Sequence, residues 1–221
     1  PSPFDFQHQL MYLIPQDGRE WKKNDQGYVD YAYSVIRDSI LSSGGGALVL
    51  FTSFAMMNEV YERVAGDIGK DMELLLQNQN TSRHVLLNRF KTNEDSSLFA
   101  TASFWEGIDA PGNTLRLVII VKLPFEVPSD PIYMARSSYI DQHSDRGSFM
   151  TLTVPNAVIK MKQGVGRLIR NEEDKGIVMI LDGRIVKKSY RHTMFSSLPE
   201  GYYPEDTMVE NIPSKIENFL Y

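Results

Sequence analysis

Cysteine is missing altogether from this 221-residue chain. That removes disulfides, thiolate zinc sites, thiolate-held iron–sulfur clusters and cysteine nucleophiles from its own chemistry. Histidine is nearly as scarce. His8, His84, His143 and His192 stand far apart, with no H-x3-H or HExxH spacing, so no metal site is expected. No uncharged apolar run approaches the ~20 residues that a bilayer span requires. Pro1 to Leu10 has neither the basic nor the apolar region of a signal peptide, so a cytoplasmic protein without membrane contact is expected. A basic surplus is lacking too: 23 Lys and Arg against 28 Asp and Glu give a net charge of -5. This argues against coating nucleic acid through bulk charge and leaves room for a local basic contact.

What is present is the balance of a folded globular protein, with 42% hydrophobic and 23% charged residues. The length suits one α/β domain spanning 1–221 and is short for two. Tyr28, Tyr31, Val35 and Ile36 recur at helical spacing before Gly44-Gly45-Gly46 ends the segment. Ala47–Thr52 reads as a buried strand and Phe54–Val64 as its crossover helix. The pattern returns in a strand at Met72–Leu76, a helix at Arg83–Phe90 and a strand at Ser97–Thr101. Further along come a strand at Leu115–Val121, helices at Asp130–Tyr139 and Asn156–Ile169, a strand at Ile177–Leu181 and a helix around Tyr190. Helices and apolar strands in alternation predict an α/β fold with a parallel sheet. Residues 1–27 read as a packed lead segment and 200–221 as a C-terminal extension.

Two stretches carry chemistry. In Gln163-Gly-Val-Gly-Arg167-Leu-Ile-Arg170 the two arginines share one face of a helix, so both guanidinium forks can address one phosphate. Such a pair can stabilise the charge developing on a transferring γ-phosphoryl, an effect worth roughly 10³ to 10⁵ in turnover elsewhere. An arbitrary R-x-x-R is more often a solvated helix face, by roughly ten to one, and only the surrounding letters reverse that judgement. Gly164-Val-Gly166 is not a dinucleotide loop, because it follows a helix and lacks the third glycine.

The second stretch is Thr101-Ala-Ser-Phe-Trp-Glu-Gly-Ile-Asp109-Ala-Pro-Gly112, just beyond a strand end, where open parallel sheets bind ligands. Thr101 and Ser103 offer hydroxyls to nucleic-acid phosphates. Phe104 and Trp105 suit base stacking or core packing equally. Glu106 and Asp109 suit hydrogen-bond acceptors to ribose or to a facing domain better than a general acid and base.

In order along the chain stand Ser2-Pro-Phe-Asp5, Leu50-Phe-Thr-Ser-Phe54, Ser103–Asp109, Lys122-Leu-Pro-Phe125, Gln163–Arg170 and Leu181-Asp-Gly-Arg184. Together they resemble the superfamily 2 helicases of the DinG and XPD type, with Leu50–Phe54, Ser103–Asp109 and Gln163–Arg170 in the places of motifs IV, V and VI. The resemblance covers nearly the whole chain and implies the second, C-terminal RecA-like motor domain, a three-layer fold with a mainly parallel central sheet flanked by helices. It implies catalytic arginine fingers at Arg167 and Arg170, nucleotide contacts at Gln163, Gly166 and Asp109, and a single-stranded DNA track at Thr52, Ser53, Thr101 and Ser103. It also implies 5′ to 3′ movement, which these residues do not themselves encode.

The sequence has no G-x-x-x-x-G-K-[ST] loop and no DEAH-like box. ATP and Mg²⁺ are therefore expected on a preceding RecA-like domain, and this chain alone is expected not to hydrolyse ATP. Any iron–sulfur cluster of the family would lie outside this chain, and an N-terminal exonuclease domain, found in some bacterial relatives, is left open as a further partner. The alternative reading is a degenerate RecA-like module that binds single-stranded DNA or a protein without ATP-driven unwinding. A nuclease is disfavoured, because no acidic cluster of metal-binding character stands out.

Overall fold

The computed structural model describes residues 5–101, 104, 114–126, 130–165, 168–169, 171–197 and 204–221. Among these, strands β1 (Leu10–Pro15), β2 (Ala47–Phe51), β3 (Leu74–Leu76), β4 (Ser97–Thr101), β5 (Leu117–Ile120), β6 (Gly176–Ile180) and β7 (Glu205–Thr207) form one sheet. Their spatial order is β3-β4-β2-β5-β6-β1-β7, and every pairing is parallel.

The inner strands are short apolar runs because both of their faces are covered. Successive side chains point to opposite faces, so Leu48 and Leu50 enter one core while Val49 and Phe51 enter the other. The first core is closed by α4 (Arg83–Thr92), α6 (Val154–Val165), the short α7 (Arg184–Lys187) and α8 (Tyr190–Ser196), through residues such as Phe90, Met161, Ile185 and Met194. The second is closed by α2 (Gln26–Ser42), α3 (Phe54–Ile68) and α9 (Ile212–Leu220), through Ile36, Val60 and Ile216. Each fully buried aliphatic side chain contributes about 1.5–3 kcal/mol. The result is a three-layer α/β architecture, a parallel sheet covered by helices on both faces, as the resemblance implies.

Local chemistry sets the element ends. Asp25 caps α2 by accepting from the Tyr28 N–H at 3.3 Å. The helix then stops at three glycines with φ of 62°, 86° and 59°. At Gly45 a Cβ would lie 2.0 Å from the Asp95 carbonyl oxygen, so only glycine fits. Arg116 fastens this turn, its Nε donating to the Ser43 carbonyl at 2.8 Å and its Nη2 to the Gly44 carbonyl at 2.6 Å.

Both terminal segments, expected to pack onto the domain, contribute strands as well. The lead segment holds α1 (Phe6–Gln9) and β1, and β1 is an inner strand, hydrogen-bonded to β6 on one side and β7 on the other. Leu13 and Ile14 are fully buried there. The C-terminal extension supplies the edge strand β7 as well as α9, so both terminal segments are integral to the sheet and its layers. The helix expected over Asn156–Ile169 starts earlier, at Val154, after a π-helical turn over Phe149–Thr153; Leu168 lies in a turn beyond its end. Helix α5 (Pro131–His143) is longer than expected and buries none of its side chains.

Candidate functional site

Parallel strands bring all their C-terminal ends to one edge of the sheet. Phe51 of β2 pairs in register with Thr101 of β4, so Thr52, Ser53 and Thr101 meet there from positions some fifty residues apart in sequence. Thr52 and Ser53 are exposed. The Ser53 hydroxyl caps α3, accepting from the Met56 N–H at 3.5 Å. Thr101 is buried, and its N–H and hydroxyl both donate to Gln77 Oε1, at 2.7 and 3.0 Å. Gln77, just past β3, thus fixes a hydroxyl that sequence reading had treated as a free donor. Phe104 is 3% exposed and lies in the first core, with the Arg83 guanidinium 5.0 Å from its ring. It is a packing residue and offers no stacking face.

The next strand ends hold the stretches Lys122–Phe125 and Leu181–Arg184, which the resemblance includes without giving their side chains a role. Asp182, after β6, is fully buried and grips Arg184 through Nε at 2.9 and 3.1 Å and through Nη2. Asp182 also accepts from the Leu123 N–H at 3.2 Å, which ties the ends of β5 and β6 together. Burial works against the Arg184 charge, but the Asp182 hydrogen bond and charge outweigh it and hold the proton more tightly than usual. Arg184 lies 5.5 Å from the rings of both Trp21 and Phe125. The Lys122 ammonium sits 3.4 Å from the Trp21 ring centre, a cation–π contact. Burial, reinforced by the positive charge of Arg184 and opposed by Asp182, pushes Lys122 below the usual lysine range. Tyr28, beneath this group, donates its hydroxyl to the Val121 carbonyl.

Trp21 and Lys122 help line a cavity of about 480 Å³ that reaches Thr52, Ser53 and Glu59. The run Trp21-Lys22-Lys23 is its one contiguous aromatic–basic element; Lys122 and the hydroxyls reach it only through the ends of β5 and β2.

Gln163 lies at the other edge. The π-helical turn before α6 starts beside Phe125 and Tyr190, with Phe149 ring centres 5.4 and 5.7 Å from theirs, past the ends of β5 and β6. Helix α6 then runs about 18 Å at 1.5 Å per residue towards the start of β6. There a Cβ on Gly176 would come within 2.9 Å of Leu168, so the two segments pack closely. Gln163, in the last turn of α6, is exposed. Gln9 braces the loop that follows, its Nε2 donating to the Asn171 and Asp174 carbonyls at 2.7 and 3.1 Å. The structure therefore gathers Thr52, Ser53 and Thr101 at one edge and keeps Gln163 apart from them. Arg167, Arg170, Gly166, Asp109 and Ser103 lie outside the described residues. Among the described residues no acidic or histidine cluster could hold a metal ion, and no helix is long and apolar enough to cross a membrane.

With this geometry in hand, comparison with known proteins places the chain. Residues 36–201 match the helicase C-terminal domain family. The chain is 39% identical over 201 residues to the ATP-dependent DNA helicase YoaA of Escherichia coli, covering 90% of this chain and 30% of that protein. It is 38% identical over 203 residues to the ATP-dependent DNA helicase DinG of Photobacterium profundum, covering 90% and 29%. The 3′-5′ exonuclease DinG of Bacillus subtilis is 32% identical over 203 residues, covering 90% and 22%. The chain thus spans between about a fifth and a third of these relatives' length. In fold it matches a solved XPD helicase with a TM-score of 0.63 at 19% identity, covering 90% of this chain and 35% of that one. The C-terminal domain of the DEAD-box protein Dbp5 matches with a TM-score of 0.55 at 14% identity, covering 95% and 97%. The chain belongs to the helicase C-terminal domain family and is homologous to the DinG and YoaA helicases.

Proposed function

We propose that this chain is the C-terminal motor domain of an ATP-dependent DNA helicase. It works with a preceding RecA-like domain that holds ATP and Mg²⁺. Arg167 and Arg170 reach the γ-phosphate across the interdomain cleft, and Gln163, Gly166 and Asp109 contact the nucleotide. The strand-end edge carries single-stranded DNA: Thr52, Ser53 and Ser103 meet its backbone, and Thr101 lines the track behind them through Gln77.

The observation that carries this reading is the separation of the two sets. Gln163, which opens the arginine-bearing stretch, and the exposed hydroxyls Thr52 and Ser53 sit at opposite edges of one rigid sheet. A domain that must face a nucleotide on one side and a polynucleotide on another needs that arrangement. Adding the arginines in trans concentrates positive charge where negative charge develops in the transition state, while Mg²⁺ neutralises the phosphates from the other domain.

The test is ATP hydrolysis, with and without single-stranded DNA, by this chain and by the longer protein that includes the preceding domain. Hydrolysis by the longer protein alone, stimulated by DNA, is the expected result. If neither form hydrolyses ATP while DNA still binds, the chain is a binding module that keeps the motifs as structure.

A further inference from the structure

The strand-end cavity is lined by Lys22, Lys23 and Lys122, and of these it is the Lys122 ammonium that rests on an aromatic ring. Lys122 is partly buried, and it neither donates a hydrogen bond to nor pairs with any carboxylate among the described residues; its ammonium rests on the Trp21 ring at 3.4 Å. The two carboxylates on the cavity wall are already engaged: Asp25 caps α2 at 3.3 Å, and Glu59 accepts from Gln26 Nε2 at 2.7 Å. The exposed hydroxyls of Thr52 and Ser53 line the same cavity. A ring, an uncommitted ammonium and two hydroxyls about one recess are the chemistry that recognises a nucleotide: a face for the base, a charge and donors for its phosphate. The volume, about 480 Å³, falls within the roughly 300–1,000 Å³ of small-ligand clefts.

The geometry points to a nucleotide subsite in this cavity: one nucleotide of the single-stranded DNA seats its phosphate on Lys122, Thr52 and Ser53 and stacks its base against Trp21. This rests on the strand-end edge being the DNA track, and it extends that track to Trp21 after β1 and to Lys122 after β5, neither of which the resemblance assigns a role. On occupation the ammonium leaves the ring for the phosphate and frees the ring face for the base. The resting cation–π contact thus keeps both groups oriented towards the cavity before DNA arrives. An acidic peptide would use the ammonium and leave the ring and hydroxyls without a role, so the mixed lining favours a nucleotide.

The experiment measures binding of labelled oligo-dT to the longer protein at several salt concentrations, for wild type, Lys122→Met, Trp21→Phe and Trp21→Ala. Lys122→Met should weaken binding about tenfold and flatten the dependence of log affinity on log salt by about one counterion. Trp21→Ala should weaken it about tenfold, the order of one lost base stack, while Trp21→Phe keeps most of the affinity. Because Trp21 also packs against the second core, thermal unfolding identifies a Trp21→Ala protein that has lost its fold, and Lys122→Met with Trp21→Phe then decides. Wild-type affinity and salt slope in Lys122→Met overturn the subsite. If Thr52→Ala still weakens binding in that event, the DNA track stands without it. Failure of the wild-type longer protein to bind oligo-dT overturns the track and the subsite together. Displacement of oligo-dT by polyglutamate, sensitive to Lys122→Met but not to Trp21→Ala, would assign the cavity to an acidic partner instead.

Discussion

The two edges of the sheet bring together the proposed site residues in opposite ways. At the strand-start edge the proposed residues are contiguous in sequence, Gln163 to Arg170, and the described residues about them are held by Gly176 against Leu168 and by Gln9 on the Asn171 and Asp174 carbonyls. At the strand-end edge they are composite: Thr101 ends β4, while Trp21, Thr52, Gln77, Lys122 and Arg184 follow five other strands, and all come to one edge only because the strands are parallel. A contiguous site survives as a motif that can be read. A composite site leaves single unremarkable residues scattered through the sequence.

If the edges are functionally distinct, substitutions should separate them. The largest effect is expected in the stretch that Gln163 opens: Arg167→Ala or Arg170→Ala should lower DNA-stimulated ATP hydrolysis by the longer protein by roughly 10³ or more, with oligo-dT affinity little changed. Equal losses of hydrolysis and DNA binding would mean that the edges are not separate. Next is the scaffold of the strand-end edge. Asp182→Ala leaves the Arg184 guanidinium without its carboxylate and the Leu123 N–H without its acceptor. A loss of about 3–5 kcal/mol is expected in denaturant unfolding, and a loss under 1 kcal/mol would show that this pair does not secure the ends of β5 and β6.

A smaller effect distinguishes two hydroxyls of the same edge. Thr52→Ala removes an exposed donor and should weaken oligo-dT binding several-fold at unchanged stability. Thr101→Val leaves Gln77 Oε1 short of a donor and should cost about 1 kcal/mol in unfolding while changing DNA affinity less. The reverse ranking would make Thr101 the direct contact.

The smallest expected effect is on pH dependence. Burial pushes the Tyr190 phenol up to about 12, with Arg184 pulling it down and Asp182 and Glu20 adding to the rise. Its folded-state value lies above its unfolded value of about 10, so the folded protein holds the proton more tightly. The resulting stability is complete below pH 10 and is lost as pH rises towards 12. Tyr190→Phe should therefore show a slightly shallower fall in unfolding midpoint between pH 9.5 and 11.5. An unchanged slope would mean that Tyr190 is as free to ionise in the folded protein as in the unfolded chain.

The inner strands β2, β4, β5 and β6 were legible because burial on both faces demands unbroken apolar runs such as Ala47–Phe51 and Leu117–Ile120. Helices α2 and α3 were legible from spacing, caps and the glycine stop after Ser43. Strand β1 was as apolar as these, but it lies in a lead segment rich in proline and polar residues, and only its pairing between β6 and β7 reveals an inner strand. Strand β7, Glu205-Asp206-Thr207, has an edge strand's polar composition and no apolar pattern to read.

The sequence by itself determined the α/β class, the parallel sheet, the helicase family and the motif that carries the arginines, because each is written in local periodicity or in residues adjacent along the chain. Tertiary structure alone decided that β1 and β7 complete the sheet, that Phe104 packs inward, that Gln77 claims the Thr101 hydroxyl and that Lys122 rests on Trp21 over an open cavity. Those outcomes depend on contacts between residues tens of positions apart, and strand order and register fix such contacts while local propensity does not.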